Sequence, residues 1–483
     1  MNEQKILSAS FKKIKKYLQE DQQARKPVVR YSSPSKLKKT IDFSITENGV
    51  TEEEFTNLLE KYLEYSVRTG HKQFFNQLYS GFNLPAFIGE VCTALTNTSM
   101  YTYEVAPVAT MIENEMIDLM NKYTGYKNGD GLFVSGGSNA NMLAMLSARN
   151  IVAPETRHHG YDRNLKLTAF VNEYAHYSFE TAANLIGIGA KNVIKVEADK
   201  NGQIIVSALE KAIKNSISQG EKPFFVAATC ATTLMGSYDP LDKMSKICKK
   251  FNLWLHADGS FGGSVILSDK HRHLLKGISK TDSFTWNPHK LMNVPLICSA
   301  LLLKKRGLLH NNITDIDTDY IFHQDDTDSK IDTGFENDWV EDLGKKSIQC
   351  GRKVDAVKLW FAWKYYGLEG YQKRINNLID MAQYAESLVK QNPEFELLAP
   401  RQSFAVCFRY NPQKTESTDE TTKLNNLNLD LRESLRKQGK SIVNYGYLGE
   451  KLVIRLITAN GQLDKSDIDT FFENILDETA KLK

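Results

Sequence analysis

The chain has 483 residues, 25% of them charged and 41% hydrophobic, with a formal net charge of +3. That length suits two or three lobes rather than one small core, and the composition is that of an ordinary globular protein. The near-neutral charge gives no reason to expect a nucleic-acid or anionic-membrane partner.

Six cysteines (Cys92, Cys230, Cys248, Cys298, Cys350, Cys407) are scattered without a CxxC pair. This fits a reducing compartment better than a disulfide framework or a metal centre, and no metal is expected. The N-terminus is too charged for a signal peptide, and no run approaches the roughly 18 apolar residues of a membrane helix. The expectation is a soluble, cytoplasmic protein.

In chain order, residues 1–50 are polar and basic, with an amphipathic stretch marked by Ile6, Leu7, Phe11, Ile14 and Leu18. Its polar face carries acids as well as lysines, which favours packing on protein over membrane binding. Residues 51–130 read as helices separated by turns at Gly81, Pro85 and Pro107. From about residue 130, apolar β-prone runs alternate with helical segments: Gly131–Ser135, Leu167–Asn172, Asn192–Val196, Phe224–Thr229, Leu253–Asp258, Ser283–Trp286 and Cys298–Lys304. Strands apolar on both faces and separated by helices predict an α/β fold, a largely parallel sheet of seven strands with helices on both sides. A long helix over about Ser347–Tyr366 leads to a smaller α+β lobe with strands at Ser403–Tyr410 and Lys451–Thr458. The expected division is an N-terminal helical, dimer-forming segment (1–95), a large cofactor domain (96–368) and a small C-terminal domain (369–483). Between Asn311 and Leu343 the chain is acidic and irregular, consistent with either a solvated loop or a lid over a site.

The chemistry gathers at the strand ends. Ser283–Lys290 reads SFTWNPHK. Pro288 cannot lie within a central strand, so Lys290 is held on a sharp loop between two buried runs. Asp258 ends another buried strand. A lysine and an aspartate placed this way suggest pyridoxal 5′-phosphate (PLP), which needs a lysine for its Schiff base and an acid for its pyridinium nitrogen. Either residue alone has a plainer reading, as a surface charge or a helix cap. Ser135-Gly136-Gly137-Ser138-Asn139 joins a strand to a helix and can cradle a phosphate. His176 follows the strand ending near Asn172 and can stack on a pyridine ring or serve structurally. Thr232, Thr233 and Asp239 lie at the carboxyl end of a strand, where α/β ligands bind, and can equally cap a turn. Arg455 sits amid a strand and gains a function only if an anionic group receives its fork.

Taken together, SGGSNAN, EYAHYS, ATCATT…YDP, WLHADGSFGGS, TWNPHK and IQCGRKVD occur in an order that resembles the group II PLP-dependent amino acid decarboxylases. FFNQLYSG (Phe74–Gly81) and YTYEVAPV (Tyr101–Val108) are similar to the branch holding glutamate, cysteine sulfinate and acidic amino acid (aspartate) decarboxylases. The resemblance runs from about residue 50 to the C-terminus. It implies the type I PLP-dependent transferase fold, an intertwined homodimer and active sites at the subunit interface. It further implies that Lys290 carries the cofactor, Asp258 partners its ring nitrogen and His176 stacks on it. Thr233 and Asp239 would support the ring, and Gly137, Ser138 and His289 the phosphate. Arg455 and Gln77 match positions that hold the substrate's distal acid, and Tyr320 matches a tyrosine that protonates the α-carbon. Tyr79 and Ser99 stand where relatives acting on aspartate and cysteine sulfinate have an aromatic and a serine. Glutamate-preferring relatives have serine and asparagine there.

The implied reaction is decarboxylation of a small acidic L-amino acid, aspartate to β-alanine or cysteine sulfinate to hypotaurine. The alternatives are glutamate decarboxylation to 4-aminobutyrate, an aromatic amino acid decarboxylase or aminotransferase, and a non-catalytic protein of this fold. Three departures from the family pattern stand out. Thr229-Cys230-Ala231-Thr232-Thr233 replaces TxGTT, HADGSFGG (His256–Gly263) replaces HVDAAWGG, and the segment from Tyr320 to Cys350 is longer than in the family.

Overall fold

The structure, a computed structural model, describes residues 3–22, 26–162, 164–313, 342–412 and 418–482. In chain order its strands are β1 (Phe74–Phe75), β2 (Asp130–Val134), β3 (Leu167–Asn172), β4 (Val193–Val196), β5 (Lys222–Thr229), β6 (Trp254–Gly259), β7 (Ser283–Trp286), β8 (Ser299–Leu303), β9 (Phe395–Leu397), β10 (Ala405–Tyr410), β11 (Ile442–Leu448) and β12 (Lys451–Ile457). The contacts divide the chain into two compact units, 83–377 and 1–82 with 378–483. The first 82 residues group with the C-terminal residues.

In the unit 83–377, seven strands form one sheet in the order β2-β8-β7-β6-β5-β3-β4. Strands β7, β6, β5, β3 and β4 run parallel to one another, and β8 is antiparallel to both β7 and β2. Every residue of β2, β3, β7 and β8 is buried, as expected for a sheet covered on both faces. The helix Gly137–Val152 begins three residues after β2 ends. In the central strands the registers align Thr229 with Asp258 and Asp258 with Thr285. Three polar side chains thus occupy one row across β5, β6 and β7. Asp355–Gln391 is helical except at Gly367, whose φ of 59° and ψ of −172° break it, one residue beyond the expected end at Tyr366.

Glu113 and Arg352 form a buried ion pair in this unit. Arg352 Nη1 donates to both carboxylate oxygens at 2.7 and 2.8 Å and to the Phe133 carbonyl at 3.0 Å. Phe133 N–H returns a bond to Glu113 Oε1 at 3.0 Å, so the pair clamps the middle of β2.

In the other unit, five strands take the order β1-β11-β12-β10-β9. β1 is parallel to β11 through Phe74 and Phe75 opposite Ile442 and Val443, and the remaining pairs are antiparallel. Its core packs Phe75, Phe408, Ile454, Phe471 and Phe472. The amphipathic N-terminal stretch is the helix Glu3–Gln22. Thr51 and Glu54 make a capping box that starts the helix Glu52–Tyr65. Among the described residues no helix is long and apolar enough to cross a membrane.

Removing one partner of a buried ion pair leaves an uncompensated charge, which costs about 3–5 kcal/mol. Glu113→Leu should therefore destabilise the protein by about that amount in urea unfolding. A change below about 1 kcal/mol would show that the pair does not clamp β2.

Candidate functional site

In the unit 83–377 the carboxyl ends of the central strands open on a cavity of about 200 Å³. Seven of the expected residues line it: Lys290, Asp258, His176, Thr233, Gly137, Ser138 and His289. Asn141, Thr229, Ala231, Ser260, Phe261 and Asn287 complete the lining.

Lys290 follows β7 in a turn in which its N–H donates to Asn287 O at 3.0 Å and its carbonyl accepts from Asn293 N–H at 3.2 Å. Asp258, near the end of β6, is buried. Burial pushes its carboxyl up, but hydrogen bonds from Ser260 and the Asn141 amide outweigh that and hold it below the usual carboxylate range. Asp258 Oδ1 accepts from Ser260 N–H at 3.0 Å, and Oδ2 accepts from Asn141 Nδ2 at 2.9 Å. The acid is therefore ionised near neutral pH and aligned from both sides.

His176 Nδ1 accepts from Ser178 N–H at 3.2 Å, which leaves the ring proton on Nε2. Burial, with the Lys290 charge, lowers its pKa against the pull of Asp258. A neutral imidazole is the form suited to stacking on a cationic ring. His289 has Nδ1 2.7 Å from the Cys298 carbonyl, and burial together with Lys290 brings its pKa down to about 3. His256, behind the cavity, is fully buried and its pKa falls to about 4 through burial.

The residues fit the cofactor. A Cβ on Gly137 would lie 2.4 Å from Ser260 Oγ and 2.8 Å from Asn287 Nδ2, so this wall of the cavity admits no side chain. Gly136, at φ +114°, takes a conformation open to glycine, and no side chain caps the helix Gly137–Val152. Its first N–H groups are thus available to an anion. Thr229 Oγ1 is buried without a hydrogen-bond partner, a donor waiting for a ligand oxygen. Ala231 takes φ +74°, a left-handed conformation that costs an L-residue about 1–2 kcal/mol. This is the position at which TxGTT has glycine.

Other expectations fall elsewhere. Asp239 is not among the lining residues. Its oxygens accept from Thr229 N–H, Ile204 N–H and Asn172 Nδ2, each at 2.7 Å, and burial raises its pKa to about 6. It fastens the end of β5 from behind. Ser99 Oγ accepts from Arg352 N–H at 3.3 Å. In the other unit, Arg455 lies on β12, buried, and Nη2 donates to Asn76 O at 2.9 Å, beside half-buried Gln77. Tyr79 is half-buried, its ring 6.5 Å from that of Phe74. Tyr320, and the acidic loop from 314 to 341, lie outside the described residues. Asn141, Thr229 and Ser260 were not singled out as site residues in the sequence. Asn141 falls inside the SGGSNAN motif, where only its position one turn into the helix hinted at a role.

A lysine amine, a buried carboxylate, an imidazole and an uncapped, glycine-lined helix start share one cavity of an α/β sheet, an arrangement suited to a PLP-dependent enzyme of the type I fold. Residues 34–411 match the pyridoxal-dependent decarboxylase conserved domain, and the chain belongs to that family. Among curated proteins it is 37% identical to cysteine sulfinic acid decarboxylase of Mus musculus over 451 residues, covering 92% of this chain and 90% of the relative. It is 35% identical to the acidic amino acid decarboxylase of Homo sapiens over 453 residues, 93% of this chain and 85% of the relative. A crystal structure of mouse CSAD superposes with a TM-score of 0.92 at 35% identity, covering 99% of this chain and 98% of that one.

The buried histidines make the fold acid-sensitive. A histidine whose folded pKa lies below its unfolded value leaves the unfolded chain binding more protons, so stability falls as pH drops from about 6.5 toward 4. Urea unfolding of the full chain should give a lower free energy at about pH 5 than at about pH 7, and His256→Gln should shrink the difference. An unchanged difference in His256→Gln would contradict neutral burial of that ring.

Proposed function

We propose that this enzyme decarboxylates a small acidic L-amino acid, converting aspartate to β-alanine or cysteine sulfinate to hypotaurine. The observation that carries the reading is the shared cavity of Lys290 and Asp258 in a chain that is 37% identical to a cysteine sulfinic acid decarboxylase. The chemistry supplied by bound PLP is an electron sink that takes up the pair left when the α-carboxylate departs as CO2.

The rest is done by the chain's own residues. Lys290 would hold the cofactor through its side-chain amine. Asp258, kept charged by Ser260 and Asn141, holds a proton on the ring nitrogen. His176 stacks as a neutral ring. Gly137, Ser138 and His289 hold the phosphate, and Thr233 supports the ring. The substrate's distal acid is assigned to Arg455 and Gln77 on the family resemblance; binding energy spent away from the reacting bond would fix that bond's orientation. Burial of Arg455 supports this role, because a guanidinium in a dry setting binds a carboxylate or sulfinate strongly. Proton delivery to the α-carbon is assigned to Tyr320 on the family resemblance.

The working form is a homodimer in the cytoplasm. Leu84, Ile88 and Leu95 on the helix Leu84–Thr96, and Val105, Val108 and Met111 nearby in sequence, are exposed large apolar side chains suited to a second copy. None of the six cysteines is in a disulfide, which supports a reducing compartment.

Tyr79 fills space that the extra methylene of glutamate would need, and one methylene is worth about 1–3 kcal/mol in such a pocket. CO2 release measured side by side should give higher kcat/KM for aspartate or cysteine sulfinate than for glutamate. Tyr79→Ser with Ser99→Asn should narrow the gap. A wild-type preference for glutamate of about tenfold would overturn the substrate assignment and leave the decarboxylase.

A further inference from the structure

From behind the cavity a chain of polar groups runs forward to Asn141 and Asp258 in its lining. Trp254 Nε1 donates to Ser283 Oγ at 2.8 Å, and Ser283 Oγ lies 2.7 Å from His256 Nδ1. His256 Nε2 lies 3.0 Å from Asn141 Oδ1, which also accepts from Thr285 Oγ1 at 2.9 Å. The Asn141 amide nitrogen spends one proton on Ser178 Oγ at 3.0 Å and the other on Asp258 Oδ2 at 2.9 Å. One assignment satisfies every contact: Ser283 donates to Nδ1, neutral His256 donates from Nε2, and the Asn141 carbonyl takes two donors while its amine gives two. The amide then has no alternative orientation, because a flipped Asn141 would aim its carbonyl at the Asp258 carboxylate.

Asn141 also lies one turn into the helix whose first residues, Gly137 and Ser138, line the cavity as the phosphate cradle. Residues three and four apart share a helix face. A single turn of helix therefore carries the cradle at one end and the donor to Asp258 at the other.

We infer that Asn141 is a positioning residue: locked by His256 and Thr285, it aims the Asp258 carboxylate at the ring nitrogen and ties that aim to the placement of the phosphate. This rests on the assignment of the cavity to PLP. The inference makes Asn141 act through Asp258, so losing both should cost little more than losing Asp258 alone.

The test is a double-mutant cycle on the holoenzyme, with PLP retention read by equilibrium dialysis and the absorbance maximum of the bound cofactor recorded for each variant. Asn141→Leu should weaken PLP binding by about tenfold or more, the loss of a hydrogen bond to a buried charge. It should move the absorbance maximum in the same direction as Asp258→Asn. The double variant should bind within about twofold of Asp258→Asn, because the two sites are coupled. Additive losses, or an Asn141→Leu enzyme with wild-type affinity and spectrum, would overturn the inference. Should Asn141→Leu not fold, Thr285→Val carries the same test by removing only one lock on the amide. It should loosen PLP by about threefold, and unchanged affinity would overturn the inference. Failure of the wild-type protein to bind PLP at all would instead sink the cofactor assignment, leaving the two failures distinguishable.

Discussion

An ionised carboxylate kept out of water is the constraint around which the cofactor unit is organised. Burying an anion is expensive unless donors replace the water it loses. Asp258 obtains them from its own loop through Ser260 N–H and from the helix Gly137–Val152 through Asn141. Each donor has structural requirements. The Ser260 bond depends on a tight exit from β6, where a Cβ on Gly259 would lie 2.2 Å from the Phe284 ring and 2.9 Å from the Thr285 carbonyl. The Asn141 bond depends on an amide locked by groups from β6 and β7.

Sheet order makes this possible. With β6 between β5 and β7, the registers set Thr229, Asp258 and Thr285 in one row, so groups far apart in sequence meet at one strand end. The same arrangement divides the labour among polar residues. Asp258 faces the cavity as an anion, whereas Asp239 is spent on the backbone amides that hold the end of β5 and Ile204. Two buried aspartates thus have their pKa values moved in opposite directions: burial raises that of Asp239 despite its three donors, whereas the donors to Asp258 outweigh burial and lower it.

Much of this was legible in the sequence. The seven sheet strands were readable because runs apolar on both faces, bounded by polar turns, leave few other options, and each overlaps an expected run. Lys290 and Asp258 were readable because a lysine or aspartate at the end of such a run is conspicuous. Asn141 was not, since a polar residue in a helix looks solvent-facing until the strands behind it are known. Asp239 resembled a ring contact because sequence places it at a strand end without saying which way its carboxylate turns. The grouping of residues 1–82 with the C-terminal residues was also hidden: it depends on pairings such as Phe74 with Ile442, which no local pattern announces. β1, with only two residues, is too short to show a period.

The central claim is that Lys290 is the residue to which the cofactor is joined. The most direct measurement is borohydride reduction of the holoenzyme, followed by proteolysis and mass spectrometry of the lysine peptides. The account predicts a phosphopyridoxyl mass on the peptide containing Lys290 and disappearance of the cofactor's visible absorbance. Stoichiometric label on a different lysine, with Lys290 unmodified, would contradict it.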